Sequence, residues 1–333
     1  VIACRDTVIP NAVGVDIGCG MCAVQSDIRI QDLHRDQVVL ILNSIKKKIP
    51  LGFKHHTSAQ KWNGFNSAPD IPLIKQELDS AKCQLGTLGS GNHFIELQKG
   101  SDGFVWLMIH SGSRNFGYKI ARAYHRIAVE FCGKKKLHLP DRDLAFLPVD
   151  SPAAEEYLRC MNFALAFAFE NRQRMKTVCT KILADLLKCT FKQEINIHHN
   201  FAAIEYHSGK DLIIHRKGAT RAHKGEYGII PGSMGRPSYL VKGRGNPQSF
   251  MSCSHGAGRV MGRNEANRSL SIEQVKSAMK GVVFDIPTTG RKNRKVDLSE
   301  APQAYKNIDE VIKSEKDLVE VMLKLEPLGV VKG

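Results

Sequence analysis

The stretch from residue 194 to 254 sets the strongest limit on how this chain folds. It breaks into six short apolar runs, INIHH, AAIEYH, LIIHRK, YGIIPG, SYLVKG and QSFMSC, separated by Gly, Pro and Asn. Runs of that length between turn-forming residues read as strands of an antiparallel meander. No clean βαβ alternation surrounds them, and neither a GxGxxG nor a Walker-type loop is present. The expected class is therefore α+β.

The other elements follow from apolar spacing. CAVQSDIRI (22–30) and FVWLMI (104–109) have strand character, and 33–47 has helical spacing through Val38, Leu40, Ile41 and Ile45. Residues 48–72 are polar and rich in Gly, Pro and His, as in an irregular surface loop. RNFGYKIARAYHRIAVEFCG continues as a helix, and Ser151-Pro152 opens a long helical region to about 190, with Pro in the first turn. This helical pair is expected as an outer layer or a hairpin insertion. Further helices are expected at 271–280 and 307–325. Internal repeats and long low-complexity segments are absent.

Composition narrows the function classes. No apolar run reaches ~18 residues, which argues against a membrane span. VIACRDTVIP has no basic region followed by an apolar stretch, unlike a secretory signal. The nine cysteines are odd in number and irregularly spaced, which favours a reducing cytoplasm. The formal charge of +15, from 48 basic against 33 acidic residues, favours a polyanionic partner.

The residues with the sharpest chemical placement begin in GVDIGCGMC (14–22). Asp16 and Cys19 are either turn residues or two ligands of one metal ion, and Cys22 adds the option of a Cys-x-x-Cys pair. His93, His110, His199 and His255 each follow an apolar or small-residue run and face a Gly-, Asn- or Ser-rich turn. Any one of them reads as a satisfied structural histidine. Together with Asp16 and Cys19 they make a mixed O, S and N donor set suited to Mn2+, Zn2+ or Fe2+. A thiolate bridging two ions explains a cysteine among close-packed glycines.

GIIPGSMG (228–235) and HGAGR (255–259) are either plain turns or concavities whose free N–H groups take phosphate oxygens. A histidine opening such a turn can ligate metal, or attack a phosphorus to form a phosphoramidate. His255 is set apart from the metal set for that reason.

VGVDIGCGM, GTLGSGNHFIEL, HSGSRNFG, LPDRDLAF, HHN, GIIPGSMG and CSHGAGRVMGR, with the terminal APQAYKNIDEVI and VVKG, occur in this order over nearly the whole chain. In this the sequence resembles the RtcB family of RNA ligases. The resemblance implies a single RtcB-like catalytic domain over 1–333. Its fold would have a central antiparallel β-sheet core, peripheral helices and a helical hairpin insertion at about 150–190. It also implies that roughly sixty residues of the usual family chain precede the point where this sequence starts.

The implied activity is GTP-dependent and uses two Mn2+ ions. It joins an RNA 3′-phosphate or 2′,3′-cyclic phosphate to a 5′-hydroxyl through a histidine–GMP intermediate, in tRNA splicing or RNA repair. By position, Asp16, Cys19, His93, His110 and His199 match the manganese ligands, with Cys19 shared between the ions, and His255 matches the guanylylated histidine. Asn92, His93, Glu96, His199, Asn200, Pro231, Gly232, Ser233, Met234, Ser238, Gly256, Ala257, Gly258 and Lys332 match guanylate-contacting positions. His198 is set aside, because the family pattern places the ligand directly before Asn, and Cys22 reads as a bystander.

The basic candidates for RNA contact are Arg114, Lys119, Arg216, Lys217, Arg221, Lys224, Arg236, Arg259 and Arg263, all near these blocks in sequence. An activator protein is a possible partner and a membrane is not. Two competing readings stay open: a metal-dependent phosphoesterase, which needs no nucleophilic histidine, and an RNA-binding homologue without activity.

Overall fold

The computed structural model describes residues 1–286, 288–289 and 295–333. A seven-stranded antiparallel sheet lies at its centre, in the order Tyr227–Ile230, Ser238–Gly243, Val319–Lys332, Phe94–Gly100, Phe104–Ser111, Gly20–Arg29, Phe191–His198. The first and last of these strands approach each other, so the sheet curls towards a barrel.

Both faces of the sheet are covered, which is why FVWLMI is a continuous apolar run and not an alternating one. Successive residues serve opposite faces. Cys22, Val24, Ile95, Leu97, Leu107 and Ile109 share one core with the Arg35–Lys48 helix. Met21, Ala23, Phe94, Trp106 and Met108 share another with Val275 and Met279. The Arg35–Lys48 helix buries Val38, Ile41, Leu42 and Ile45, while Leu40 is exposed.

The Arg114–Lys134 and Pro152–Leu187 helices pack on each other as the expected pair. Ser151 caps the second by accepting from the Ala154 amide, with Pro152 in the first turn. No turn interrupts its 36 residues. It is also not laid on the outside: Tyr157, Phe163 and Phe167 enter one core cluster, and Met175, Cys179 and Leu183 enter the core beneath the sheet.

Two expectations are corrected. The runs from 194 to 254 are strands, but they do not form one meander. Asn200–His207 and Lys210–Lys217 leave the main sheet to pair with each other and with Ile2–Cys4. Ala219–Arg221 pairs with Ser252–Ser254, and only the last part of QSFMSC is extended.

Residues 307–325 are not one helix either. The helix Ile308–Ser314 ends, and Val319–Lys332 is a strand in the middle of the main sheet. Its Val319, Val321, Leu323 and Leu325 alternate with polar residues or Met, a period of two that overrides the helical reading. The Pro72–Gln84 helix, which starts on a proline, follows the polar loop.

Candidate active site

The sheet order brings the metal candidates together. Asp16 and Cys19 lie on the turn entering Gly20–Arg29, His93 directly precedes Phe94–Gly100, and His110 is near the end of Phe104–Ser111. His199 stands between Phe191–His198 and Asn200–His207, and its amide donates to the Cys19 carbonyl at 2.8 Å. These four strand ends are consecutive in the sheet, so residues 183 positions apart in sequence share one edge.

Cys19 Sγ is 3.4 Å from His93 Nε2 and 3.2 Å from His110 Nε2. His93 Nε2 is 2.9 Å from Asp16 Oδ2, and His110 Nε2 is 3.3 Å from His199 Nε2. The donors form two triads, Asp16–Cys19–His93 and Cys19–His110–His199, and each triad's ligand atoms lie within 4.8 Å of one another. Cys19 belongs to both.

Backbone carbonyls fix the rings. His93 Nδ1 donates to Leu88 O at 3.0 Å and His110 Nδ1 to Asn92 O at 3.1 Å. Their Nε2 atoms therefore face inward, where they converge with the Asp16 carboxylate on the Cys19 sulfur. A cluster with more lone pairs than protons is what a cation completes, and the S, N and O donors suit a borderline divalent ion. The residues fit a two-ion centre with a shared thiolate.

Burial and the Asp16 charge push the Cys19 thiol well up, so a bound cation is what would draw off its proton. Burial also pushes the Asp16 carboxyl up, but hydrogen bonding and charge from His93, with Cys19 and Arg114, outweigh it and leave it below the usual range. Gly112 makes room for this carboxylate, since a Cβ there would lie 2.3 Å from Asp16 Oδ1.

His255 is seated beside the cluster. Its Nδ1 donates to Gly218 O at 2.7 Å, and its ring centroid is 4.8 Å from that of His199. Nε2 has no hydrogen-bond partner among the described residues, and burial pushes the ring's pKa down, towards the neutral, nucleophilic form. Gly218 has φ +64°, and a Cβ on it would lie 2.8 Å from the His255 ring, so the seat requires glycine twice over.

His255 also forms one wall of a cavity. Asn92, Pro231, Gly232, Ser233, Met234, Gly256, Ala257, Gly258 and Lys332, all named from the sequence as guanylate-contacting candidates, line it with His110. His93, Glu96, His199, Asn200 and Ser238 do not. Glu96 is buried, with burial pushing its carboxyl to about 7 against the opposing pull of Gln98 and Lys332. Gln98 Nε2 donates to it at 2.7 Å and lies 3.4 Å from the buried Ser238 Oγ. Asn200 donates to Asp16 O at 3.0 Å and accepts from the Gly218 amide at 2.7 Å, tying the metal turn to the His255 seat.

The structure adds residues that local pattern did not flag. Phe94, Glu300 and Tyr305 line the cavity, and Glu300 accepts from Arg259 at 3.3 Å, from Arg263 at 3.0 Å and from the Tyr305 hydroxyl. Arg259 and Arg263 are thus fixed in the cavity wall.

Asn171 and Arg172 are fully buried on the long helix. Arg172 donates to Gly18 O at 2.9 Å, Ser111 O at 3.0 Å and Asn196 Oδ1 at 2.7 Å. Asn171 holds the backbone of Gly86, Thr87 and Gly112. A signal existed, since both fall on the apolar stripe between Phe167, Ala168 and Met175.

His198 accepts from Arg172 Nη2 at 3.1 Å beside Gly18 O, with burial and then the Arg172 charge holding it at about 3. Cys22 lies in the apolar core, where burial pushes its thiol to about 12. Neither joins a triad. Among the RNA candidates, Arg216 is corrected: it is fully buried, and its guanidinium is spent on Glu205, Ser252 and the Phe250 carbonyl.

The buried histidines give the metal-free protein a defined acid sensitivity. Burial holds His110 and His199 well below 6.5, with neighbouring positive charges adding to it. The unfolded chain then binds protons that the folded one refuses. Stability is full above about pH 6.5 and falls as pH drops below it, by about 1 kcal/mol per histidine at pH 5.5. Melting of chelator-treated protein should drop by several degrees between pH 7.5 and 5.5, and a flat profile contradicts the neutral assignment.

A family model described as tRNA-splicing ligase RtcB matches residues 1–71 and 60–333. RNA-splicing ligase RtcB of Escherichia coli (strain K12) is 36% identical over 361 residues, an alignment that covers 100% of this chain and 86% of the relative. RNA-splicing ligase RtcB of Mycobacterium tuberculosis is 35% identical over 398 residues, covering 98% and 90%. tRNA-splicing ligase RtcB of Nanoarchaeum equitans is 33% identical over 399 residues, covering 98% and 82%. With both family model and relatives spanning it nearly end to end, this chain belongs to the RtcB family.

Proposed function

We propose that the protein is an RNA ligase that uses GTP and two Mn2+ ions to join an RNA 3′-phosphate or 2′,3′-cyclic phosphate to a 5′-hydroxyl. The observation that carries this reading is the seat of His255. A neutral imidazole, oriented by Gly218 O, stands between a two-triad donor cluster and a cavity rimmed by Gly-rich turns. A phosphoesterase working through activated water needs no nucleophilic histidine.

Asp16, Cys19 and His93 would hold one ion and Cys19, His110 and His199 the other, where they would neutralise phosphate charge and polarise the attacked phosphorus. His255 Nε2 attacks the α-phosphorus of GTP, forming a P–N bond as the bond to pyrophosphate breaks. The Nδ1 proton stays in its hydrogen bond to Gly218 O, which supports the cationic ring of the adduct.

An oxygen of the RNA 3′-phosphate then takes the guanylyl group and frees His255. The 5′-hydroxyl attacks the activated 3′-phosphorus and GMP leaves, while a cyclic phosphate end is first opened by water. Phosphoryl transfer asks the protein chiefly for position and charge, and Lys332, Arg259 and Arg263 bring positive charge to the cavity wall.

The physiological setting we infer is tRNA splicing or RNA repair in the cytoplasm, with an activator protein as a further partner. All nine cysteines are free, and no helix among the described residues is long and apolar enough to cross a membrane.

The test is incubation with Mn2+ and GTP labelled at the α-phosphate, followed by denaturing electrophoresis. Acid-labile label on the protein is the expected result. Folded, metal-loaded protein that takes up none overturns the proposal and puts hydrolysis or simple RNA binding in its place.

A further inference from the structure

The nucleotide cavity meets the metal cluster at its His110 end. The Asp16–His93 end opens elsewhere, onto a depression walled by Phe53, Lys54, Arg114 and Tyr118. Tyr118 is also the inner wall of a second open groove, between the Pro72–Gln84 and Arg114–Lys134 helices. The two adjoin at Tyr118, the one residue that lines both, and we read them as one track leading outward from the metal ligands.

The outer part of this track is basic. Lys119, Arg122, Arg126 and Arg142 line it against one carboxylate, Glu77. The charges are only loosely neutralised: Lys119 lies 3.7 Å from Glu77 and Arg126 lies 3.9 Å from Glu130. Among the described residues neither Arg122 nor Arg142 has a carboxylate partner within ion-pair distance.

Tyr118, Arg122 and Arg126 follow at i, i+4 and i+8, so they form one helix face about 12 Å long. Arg122 Nη1 donates to the Tyr118 hydroxyl at 3.1 Å, and its Cζ lies 5.7 Å from the ring centroid, which pre-sets a cation beside an aromatic face. Tyr118 is 38% exposed, and Phe53, where the track nears the metal ligands, is 93% exposed. A cationic groove with aromatic platforms is the chemistry that holds single-stranded nucleic acid.

We propose that this track binds a single-stranded segment of the RNA being joined. Phe53 and Tyr118 stack on bases, and Lys119, Arg122, Arg126 and Arg142 take backbone phosphates. The proposal rests on the RNA-ligase reading for its ligand. It also departs from the basic residues that sequence proximity favoured, because of those only Arg114 and Lys119 face the track.

The test measures fluorescence anisotropy of a labelled single-stranded RNA of about 12 nucleotides on metal-loaded protein. Arg122→Glu/Arg126→Glu is compared with Lys181→Glu/Lys188→Glu, which makes the same charge change at the C-terminal end of the long helix. The groove variant should bind about tenfold more weakly or worse, with a salt slope shallower by roughly 1.4, and the control should stay within about twofold of wild type.

RNAs ending in a 3′-phosphate and in a 5′-hydroxyl are run as separate arms, and the arm that weakens names the strand. Equal weakening of both variants overturns the proposal. An unaffected groove variant does the same, and assigns the surface to a protein partner. RNA affinity is read without catalysis, so a wild-type protein that takes no label from GTP sinks the ligase reading while the groove stands or falls on its own.

Discussion

Replacing Cys19 by Ala should empty both metal positions at once, whereas His93→Ala should empty one. Manganese content after gel filtration is expected to fall from about two per chain to near zero in the first variant and to about one in the second. The reason is the shared sulfur, which lies within 3.4 Å of His93 Nε2 and at 3.2 Å from His110 Nε2, so both triads lose a donor together. His255→Ala belongs beside these variants as the contrast. It belongs to neither triad, so metal content stays at the wild-type level while covalent label from GTP falls by about 10³-fold or more. Two ions retained by Cys19→Ala would show that the triads do not share a ligand.

Arg172→Met should destabilise the protein by about 3–5 kcal/mol, because it leaves several buried acceptors without a donor. The orphaned groups are the carbonyls of Gly18 and Ser111 and the side chain of Asn196. Melting is expected roughly 5–10 °C lower for a domain of this size. Manganese affinity should fall as well, although no ligand is changed, because Gly18 and Ser111 directly adjoin Cys19 and His110 in the chain. Arg172→Lys should not rescue it, since an ammonium cannot reach three diverging acceptors from one planar fork. A variant that melts within a degree or two of wild type and binds manganese equally would reduce Arg172 to a replaceable core residue.

What was legible in the sequence was local. The Gly20–Arg29 and Phe104–Ser111 strands, the Arg35–Lys48 helix and the long helix opened by Ser151-Pro152 all announce themselves through short-range periodicity and capping. The compact blocks that carry Asp16, Cys19, His93, His110, His199 and His255 were legible too, and the structure gathers these residues at one end of the sheet.

The tertiary structure alone decided which strands are neighbours. It split the runs between 194 and 254 among three sheets and placed Val319–Lys332 at the centre, where partner strands and burial outweigh local helix propensity. It also sorted the charged residues. Arg216 and Arg172 became buried hydrogen-bond hubs, while Arg122 and Arg142 were left facing an open groove. Periodicity reports which face of one element is apolar. Which carboxylate, carbonyl or solvent a given guanidinium meets depends on elements far away in the chain, and that pairing is set only when the sheet and its helices close around the site.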